Sequence, residues 1–319
     1  MNTKFVLRNL IDRESLYRIL RIPLFNLAYR KYVRAHYINE EFPRCVGVEV
    51  TDICNRNCLI CPSSKVDKIG NIDLAIVKKI AQESAAWGHK GMEFSLHKMG
   101  EPFLNKDIWK IVKIIKSINK DSVISFVTNG LLLKDNVQLI VDYKVDLVKV
   151  SVSSVYLQPG KKSENEIKEI EEGVERLLSK RRNNVPHIIV QLVETQRTKD
   201  EVNAFKKRWS KYPIVINISF EENWNGAFDE VFLSPKFDYA QKRYPCFYLW
   251  LSPQINADGT VSACPTDWNK SLLIGDLKRN SMAEIWQGKA ISDLRARHLK
   301  RDYRGCEKCN SWLLMPNFF

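Results

Sequence analysis

The sequence TDICNRNCLICP at residues 51–62 places three cysteines, Cys54, Cys58 and Cys61, in one short loop. Three residues separate the first pair and two residues separate the second pair. Three thiolates can hold three irons of a [4Fe–4S] cube and leave the fourth iron without a protein ligand. A structural zinc site needs a fourth ligand, which this loop does not offer. The spacing therefore predicts a cluster with one iron open to a small molecule.

An alternation of strands and helices surrounds this loop. Strands are predicted at 45–50, 92–97, 123–128, 145–152, 187–193 and 214–220. Helices are predicted at 72–87, with Asn71 as N-cap, and at 105–118, 134–144, 163–182 and 199–211. Such alternation is typical of a parallel sheet with crossover helices, either an open sheet or a partial barrel. The six predicted strands are too few for a closed eight-stranded barrel.

The pattern changes after residue 221. A hairpin signal, Asp258-Gly259 between two short apolar runs, is followed by a predicted helix near 282–299. We interpret this part of the chain as a second, smaller domain. The predicted organisation is a basic helical extension at 1–43, a strand–helix domain at 44–222, a linker at 223–243 and the small domain at 244–319.

The small domain carries a second set of cysteines: Cys246, Cys264, Cys306 and Cys309. Because no secretory signal is recognisable, disulfides are not expected. Four thiolates can ligate a [4Fe–4S] cube completely, and they suit a four-cysteine zinc ribbon equally well. Spacing alone favours zinc. The remaining cysteine, Cys45, opens the first strand, where a small core residue is a simpler interpretation than a hydrogen donor or a regulatory thiol.

The chain of 319 residues is basic, with 50 Lys and Arg against 37 Asp and Glu. This charge favours an anionic partner: a phosphorylated substrate, a nucleic acid or an anionic membrane surface. In residues 1–43, leucines at helical spacing are interleaved with arginines, which predicts a membrane-surface helix or, because Pro23 interrupts the pattern, a helix packed across the barrel. No run of about eighteen apolar residues occurs, so we expect a cytoplasmic protein, with peripheral membrane contact as the alternative.

The first cysteine loop resembles that of the radical S-adenosylmethionine (SAM) superfamily, where it follows strand one of a (β/α)6 partial barrel. The resemblance implies that SAM chelates the open iron through its amino and carboxylate groups. Gly100-Glu101-Pro102, preceded by Met99 in place of the family's usual glycine, resembles the GGEP motif that holds the methionine amino group. The implied cofactor site also includes Ile60 near the adenine, the turn at Thr128-Asn129-Gly130, and the ribose-binding hydroxyls of Ser151 and Ser153.

Each companion residue also has a simpler interpretation. Residues 100–102 could form an ordinary turn with a solvated Glu101, and Asn129-Gly130 could be a strand-to-loop turn. The two serines could face water inside the barrel.

The runs PCFYLWLSPQINADGTVSACPTDW at 245–268 and CEKC at 306–309 resemble the SPASM/twitch auxiliary domain that follows many radical SAM barrels. With four cysteines, the region is similar to the single-cluster version, which favours one auxiliary [4Fe–4S] cluster over zinc. The expected fold is therefore α/β, a (β/α)6 partial TIM barrel with a small C-terminal α+β SPASM/twitch domain.

The resemblance also implies a reaction. Reduced flavodoxin or ferredoxin supplies one electron, SAM is cleaved to methionine and a 5′-deoxyadenosyl radical, and this radical abstracts one hydrogen atom from the substrate. A fully ligated second cluster can accept an electron, which favours a two-electron oxidation such as alcohol to ketone. We therefore expect an oxidoreductase that acts on a sugar, a cyclitol or a similar small molecule, with an anionic substrate favoured by the basic charge.

A proton acceptor or substrate clamp is expected at the carboxyl ends of the strands. The candidates there are His97, Lys98, Glu221, Glu222 and Asn223. Lys98 and the arginines at 295–304 are candidates for holding a phosphate or carboxylate. Each of them could instead be a solvated polar residue.

Two other functions compete with this one. A radical SAM enzyme that crosslinks, oxidises or epimerises peptides commonly carries an N-terminal peptide-binding domain, and residues 1–43 are too short for one. A basic, zinc-holding nucleic-acid-binding protein would need aromatic side chains interleaved with basic ones on an exposed strand face. The predicted strands are mostly aliphatic, as buried parallel strands are, so we expect no nucleic-acid partner.

Overall fold

The computed structural model describes Leu27, Lys31 and residues 41–88, 91–152, 164–194, 201–220, 222–228, 243 and 245–314. Most of the predicted extension at 1–43 and of the linker at 223–243 lies outside the described residues. Two of the predicted site residues, Ser153 and Glu221, also lie outside them.

One sheet of nine strands runs through the described residues, in the order β6-β5-β4-β3-β2-β1-β7-β8-β9. The strands are β1 Cys45–Val48, β2 Glu93–Ser95, β3 Val123–Thr128, β4 Leu147–Ser151, β5 His187–Glu194, β6 Val215–Phe220, β7 Gln254–Ile255, β8 Thr260–Ser262 and β9 Leu273–Asp276. Neighbours from β1 to β6 are all parallel. The predicted parallel sheet of six strands is confirmed.

Helices connect the six parallel strands in turn. They are α1 Leu74–Ala86, α2 Ile108–Ile118, α3 Leu133–Asp142, α4 Glu164–Lys180 and α5 Glu201–Trp209. This repeated strand–helix order, with the strands in sequential order in the sheet, is the expected partial TIM barrel. None of the helices that the structure describes is long and apolar enough to cross a membrane.

The N-cap of α1 differs from the prediction. Asp73, not Asn71, caps this helix, and its carboxylate accepts the backbone N–H of Ala75 at 2.8 Å. Asn71 instead pairs its backbone with Thr51 in an isolated antiparallel bridge. That bridge holds residue 71 in extended backbone, so the helix begins later.

The two faces of the sheet have different roles, because side chains alternate along a strand. Val46, Phe94, Ile124 and Val148 belong to the main apolar core, with the buried residues of the helices. On the opposite face, a small apolar group of Val123, Leu147, Ile189 and Val215 lies near the amino ends of the strands. Toward the carboxyl ends the same face carries polar side chains: Ser95, Lys149, Ser151, Gln191, Asn217 and Ser219.

The C-terminal strands extend the same sheet. β7 pairs in parallel with β1, with Gly47 opposite Gln254, and β7 and β8 form the predicted antiparallel hairpin. Gly259 at its turn has φ 88°, a left-handed conformation that glycine adopts without strain. A short helix, α6, spans Tyr248–Leu251. The division into a barrel and a separate small domain stays a prediction.

The helix predicted near 282–299 is two helices, α7 Met282–Gln287 and α8 Lys289–Leu299. Gly288 lies between them in extended backbone, with φ −65° and ψ 164°. A capping box of Ser281 and Glu284 begins α7. A Cβ on Gly288 would lie 2.8 Å from the carbonyl oxygen of Glu284, so the sharp break requires a glycine.

Candidate active site

The loop that carries Cys54, Cys58 and Cys61 is held in place by Asp52, which is 3% exposed. One carboxylate oxygen of Asp52 accepts the N–H of Ile69 at 2.6 Å, and the other accepts the N–H of Gly70 at 2.9 Å. Within the loop, the N–H of Cys61 donates to the carbonyl of Cys58 at 3.2 Å. A buried acid with backbone partners therefore fixes the shape of the loop.

The three thiols of this loop are free and only partly buried. Burial raises the pKa of all three, and that of Cys58 to about 12, with Cys61 and Cys54 as further causes. The three thiols come from one short loop, residues 54–61. Thiols that resist ionisation become thiolates when a metal coordinates them. The loop therefore fits a cluster held by three thiolates.

Gly100 and Glu101 bring the end of β2 against this loop. A Cβ on Gly100 would lie 2.1 Å from the carbonyl oxygen of Thr51, so only glycine permits the approach. The N–H of Glu101 donates to the carbonyl of Ile53 at 2.9 Å. Pro102 then begins a 3-10 turn, Pro102–Leu104.

The carboxylate of Glu101 is 2% exposed and is not solvated. It accepts the hydroxyl of Thr128 at 2.8 Å, the N–H of Asn129 at 2.8 Å and the N–H of Phe103 at 3.3 Å. Burial raises the pKa of Glu101, and these hydrogen bonds oppose the rise. A carboxylate has about four lone-pair sites, so it retains capacity for one further donor, such as an amino group.

Asn129 connects the third strand to the cysteine loop, because its Nδ2 donates to Oδ1 of Asn55 at 2.8 Å. Ser151 is half-buried at the end of β4, on the polar face described above. The carbonyl of Ile60 accepts the indole N–H of Trp224 at 2.8 Å. The structure thus brings Glu101, Thr128 and Asn129 together, whereas the contact described for Ile60 is with Trp224.

His97 and Lys98 follow β2 but differ in their surroundings. His97 is half-buried, with Nδ1 3.2 Å from the hydroxyl of Ser95. Burial, with a smaller effect from Lys149, lowers the pKa of His97 to about 4, so the imidazole is neutral near pH 7. Lys98 is 9% exposed, and its Nζ donates to Oδ1 of Asn256 at 2.7 Å and to the carbonyl of Asp267 at 3.0 Å. These contacts favour a structural role for Lys98 over an anion clamp.

Glu222 and Asn223 face the second cysteine set: the hydroxyl of Ser311 donates to Glu222 at 3.4 Å. Among the arginines at 295–304, Arg295 is 7% exposed and donates to the carbonyls of Leu249 and Trp286. It also stacks on the Trp286 ring at 4.2 Å. The expectation that Arg295 holds a substrate anion conflicts with this placement, because its guanidinium is bound inside the core.

One residue that the sequence analysis did not single out is Glu49, which directly follows β1. Its side chain is 2% exposed and lies near Lys98. Its Oε2 accepts the N–H of Ala257 at 3.1 Å, and no described residue donates to Oε1. Burial raises its pKa, and Lys98 opposes the rise. The signal in the sequence is a single carboxylate in the apolar run CVGVEV. Trp224 was also missed, and no local pattern marks it.

Cys246, Cys264, Cys306 and Cys309 line one cavity, together with Arg243 and His298. The first three are buried. Burial raises the pKa of Cys306 to about 12, and the pKa of Cys246 rises through burial and through the other three thiols. The N–H of Ser311 donates to Cys309 Sγ at 3.4 Å, and Cys264 Sγ lies 3.6 Å from the Thr266 hydroxyl.

Four thiols on one cavity can ligate either one zinc ion or every iron of a [4Fe–4S] cube. Their number fits either group, and a cube held in this way has no iron open to a substrate.

The profile of the radical SAM superfamily matches residues 48–205, and that of SPASM, an iron–sulfur cluster-binding domain, matches residues 246–310. This chain belongs to the radical SAM superfamily. As such it binds SAM and a [4Fe–4S] cluster, and its SPASM domain binds auxiliary iron–sulfur. The predicted family, fold class and cofactors are confirmed.

Curated relatives of this radical SAM enzyme include the GTP 3′,8-cyclase of Alkaliphilus metalliredigens, 25% identical over 149 residues, 44% of this chain and 46% of that protein. The GTP 3′,8-cyclase of Mannheimia succiniciproducens is 30% identical over 137 residues, 40% of this chain and 39% of that protein. The chain spans about half the length of such relatives, or less.

Solved structures resemble the whole described fold. BtrN in complex with AdoMet and 2-DOIA has a TM-score of 0.57 at 19% identity, over 84% of this chain and 93% of that one. The anSMEcpe structure with bound AdoMet has a TM-score of 0.61 at 15% identity, over 85% and 87% of the two chains. At these identities the likeness concerns the fold alone.

Proposed function

We propose that this radical SAM protein is an oxidoreductase that removes a hydrogen atom from a small molecule, after which the substrate radical loses a proton to a base and an electron to one auxiliary [4Fe–4S] cluster. The observation that supports it is the convergence of four cysteines on one cavity. Four thiolates leave no iron open for a substrate. A cluster so enclosed is suited to accept an electron and unsuited to bind the reactant.

The two cysteine sets have complementary roles in this proposal. Bound to the partly exposed loop of Cys54, Cys58 and Cys61, SAM and its cluster supply the radical that abstracts hydrogen. Glu101 holds the SAM amino group. Lys98 follows β2 and binds Asp267, which stands three residues after Cys264, so it ties the two sites together. We propose reduced flavodoxin or ferredoxin as the electron donor.

The side chains at the carboxyl ends of the strands support a polyhydroxy substrate. Ser95, Ser151, Gln191 and Asn217 share the polar face of the sheet, and Asn217 Nδ2 donates to Gln191 Oε1 at 2.9 Å. Hydroxyl and amide groups both donate and accept hydrogen bonds, as sugar and cyclitol hydroxyls require. The likeness to BtrN, whose structure was solved with 2-DOIA, agrees with this class.

The test is a substrate screen on the anaerobically reconstituted protein with SAM and dithionite. Pools of sugars, aminocyclitols and their phosphates are compared for stimulated release of 5′-deoxyadenosine. We expect one pool to stimulate release and to yield an oxidised product in equal amount. Deuterium at the attacked carbon should appear in 5′-deoxyadenosine. If only GTP or a peptide stimulates release, the small-molecule oxidation is wrong.

A peptide-modifying reaction is the second candidate. The observation behind it is the likeness to anSMEcpe with bound AdoMet and the Kp18Cys peptide, with a TM-score of 0.60 at 14% identity. Peptides therefore belong in the same screen, and a modified peptide would favour this candidate.

A further inference from the structure

Residues 222–228, named the connector below, lie between the two cysteine sets. Residues 54–65, which carry Cys54, Cys58 and Cys61, are named the SAM-binding loop. On this side, the indole N–H of Trp224 donates to the carbonyl of Ile60 at 2.8 Å. The Nζ of Lys65 donates to the carbonyl of Ala227 and lies 4.4 Å from the centre of the Phe228 ring. The connector thus contacts the SAM-binding loop at Ile60, directly before Cys61, and at Lys65, four residues after it.

On its other side, the connector binds the loop that carries Cys306 and Cys309. The N–H of Asn223 donates to Oδ1 of Asn310 at 2.9 Å, and the N–H of Asn310 donates back to Oδ1 of Asn223 at 3.2 Å. Asn223 Nδ2 donates to the carbonyl of Lys308. Asn225 Nδ2 donates to the carbonyl of Gly305 at 2.8 Å. The auxiliary loop is therefore bound on both sides of its two cysteines.

The backbone of the connector has little freedom to absorb a displacement. Trp224 and Asn225 have φ of 49° and 53°, a left-handed conformation that is uncommon for residues other than glycine. Gly226 has φ 88°, and a Cβ there would lie 2.9 Å from the Lys308 side chain. Asn223 is 9% exposed. Contacts on both sides hold this shape.

We propose that the connector couples the SAM-binding loop to the auxiliary loop at 305–310. Trp224 is the positioning residue: it holds the SAM-binding loop in the conformation that binds SAM, and the contacts of the connector with the auxiliary loop hold Trp224 in place. Ile60 directly precedes Cys61, and Asn310 directly follows Cys309. The coupling goes beyond the proposed oxidation and does not rest on it, because SAM binding is measured without substrate.

The experiment measures the Kd of SAM by equilibrium dialysis on anaerobic protein with both clusters reconstituted and with iron and sulfide quantified. Trp224→Phe removes the indole N–H, and we expect about a fivefold higher Kd, which is the about 1 kcal/mol of a typical hydrogen bond. Asn310→Ala changes only the auxiliary side, and we expect about a twofold higher Kd. The double variant should bind SAM like Trp224→Phe alone, since both changes break one linkage.

Matched controls separate the coupling from a general loss of stability of the fold. Trp209→Phe is the control for the indole, because no described residue accepts the N–H of Trp209. Asn269→Ala is the control for the amide. Like Asn310, Asn269 accepts a backbone N–H through its side chain, but the donor is the N–H of Ser271 and not a residue of the connector. Both should leave the Kd of SAM unchanged. Asn310→Asp keeps an acceptor for Asn223 and should restore wild-type affinity.

Several outcomes overturn the proposal: an unchanged Kd in Trp224→Phe, an unchanged Kd in Asn310→Ala, or effects that multiply in the double variant. If Asn310→Ala loses auxiliary iron, Asn225→Gly replaces it, since glycine keeps the left-handed backbone and removes the contact to Gly305. Coupling is reciprocal. Saturating SAM should therefore raise the fraction of auxiliary iron retained at equilibrium with a chelator in the wild-type protein and not in Trp224→Phe, and an equal effect of SAM in the two proteins contradicts the coupling.

Discussion

The two cysteine sets are built on different principles. Cys54, Cys58 and Cys61 lie in one loop, remain partly exposed and are three in number. Cys246, Cys264, Cys306 and Cys309 come from separate segments that meet around a mostly buried cavity. A cube on the first set would keep one iron open to a small molecule, and a cube on the second would be fully ligated inside the protein. Cysteines that are close in sequence therefore form the partly exposed site, and cysteines from distant segments form the enclosed one.

The largest effect is expected from the open set. Cys54→Ala, Cys58→Ala or Cys61→Ala should each abolish reductive SAM cleavage, because three thiolates are the minimum that fixes a cube with one open iron. The measurement is 5′-deoxyadenosine formed with dithionite and SAM. Cys45→Ala is the matched control and should retain cleavage. Cleavage in any of the three loop variants would mean that this loop does not carry the reactive cluster.

The closed set should respond differently. Cys306→Ala with Cys309→Ala should leave SAM cleavage at saturating SAM in place, while oxidised product falls sharply, because the substrate radical loses its electron acceptor. With the substrate found in the screen, the ratio of product to 5′-deoxyadenosine is measured. A ratio equal to that of the wild-type protein would make the second cluster structural and would favour a redox-neutral reaction.

Glu101→Gln tests whether the Glu101 carboxylate binds the amino group of SAM. Loss of a charged hydrogen bond of about 1.5–3 kcal/mol should raise the Kd of SAM by about 10- to 100-fold. Both clusters should remain, as iron content and absorbance would show. Glu83→Gln, whose carboxylate accepts the N–H of Met282 at 2.6 Å, is the matched control and should bind SAM normally. Equal Kd values for both variants would remove Glu101 from the SAM site.

Lys98→Met tests the tie between the two sets. It removes the bonds to Asn256 and Asp267 and leaves buried acceptors unpaired, so the free energy of unfolding should fall by about 1–3 kcal/mol. Denaturant unfolding of the wild-type and variant proteins measures this. Lys134→Met breaks an exposed ion pair to Glu172 and should change stability far less. A similar loss in both variants would contradict the structural role of Lys98.

The smallest effect is expected from removing the N-terminal extension. Phe42 is fully buried and stacks on Trp87 at a centroid distance of 5.4 Å, and Gln287 donates to the carbonyl of Glu41 at 2.9 Å. A chain that begins at Glu41 should therefore retain both clusters, whereas one that begins at Arg44 loses a core aromatic. The iron content of the two truncated proteins, measured after anaerobic reconstitution, shows whether cluster assembly requires residues 1–40 or only residues 41–43. Loss of iron from the longer one would place residues 1–40 among the determinants of the barrel.

The sequence by itself determined the features that depend on neighbouring residues. Strand–helix alternation, the hairpin at Asp258-Gly259 and the spacing of Cys54, Cys58 and Cys61 are local patterns, because backbone period and loop length are set within a few residues. The stretch Gly100-Glu101-Pro102 was singled out by its resemblance to a family motif, and its role at the SAM site stays a prediction. The N-cap of α1 was wrong because a bridge between Asn71 and Thr51 outweighed a local capping preference.

Only the tertiary structure decided which distant groups meet. Trp224 binds Ile60 across 164 residues, Lys98 binds Asn256 across 158, and Asn310 binds Asn223 across 87. Burial of Glu49 and Arg295 likewise depends on strands and helices far away in the chain. Such contacts leave no periodic trace, because any polar side chain of suitable length could make them once the sheet has brought the segments together. The three-cysteine motif can therefore be recognised in the sequence, and the linkage between the two cysteine sets cannot.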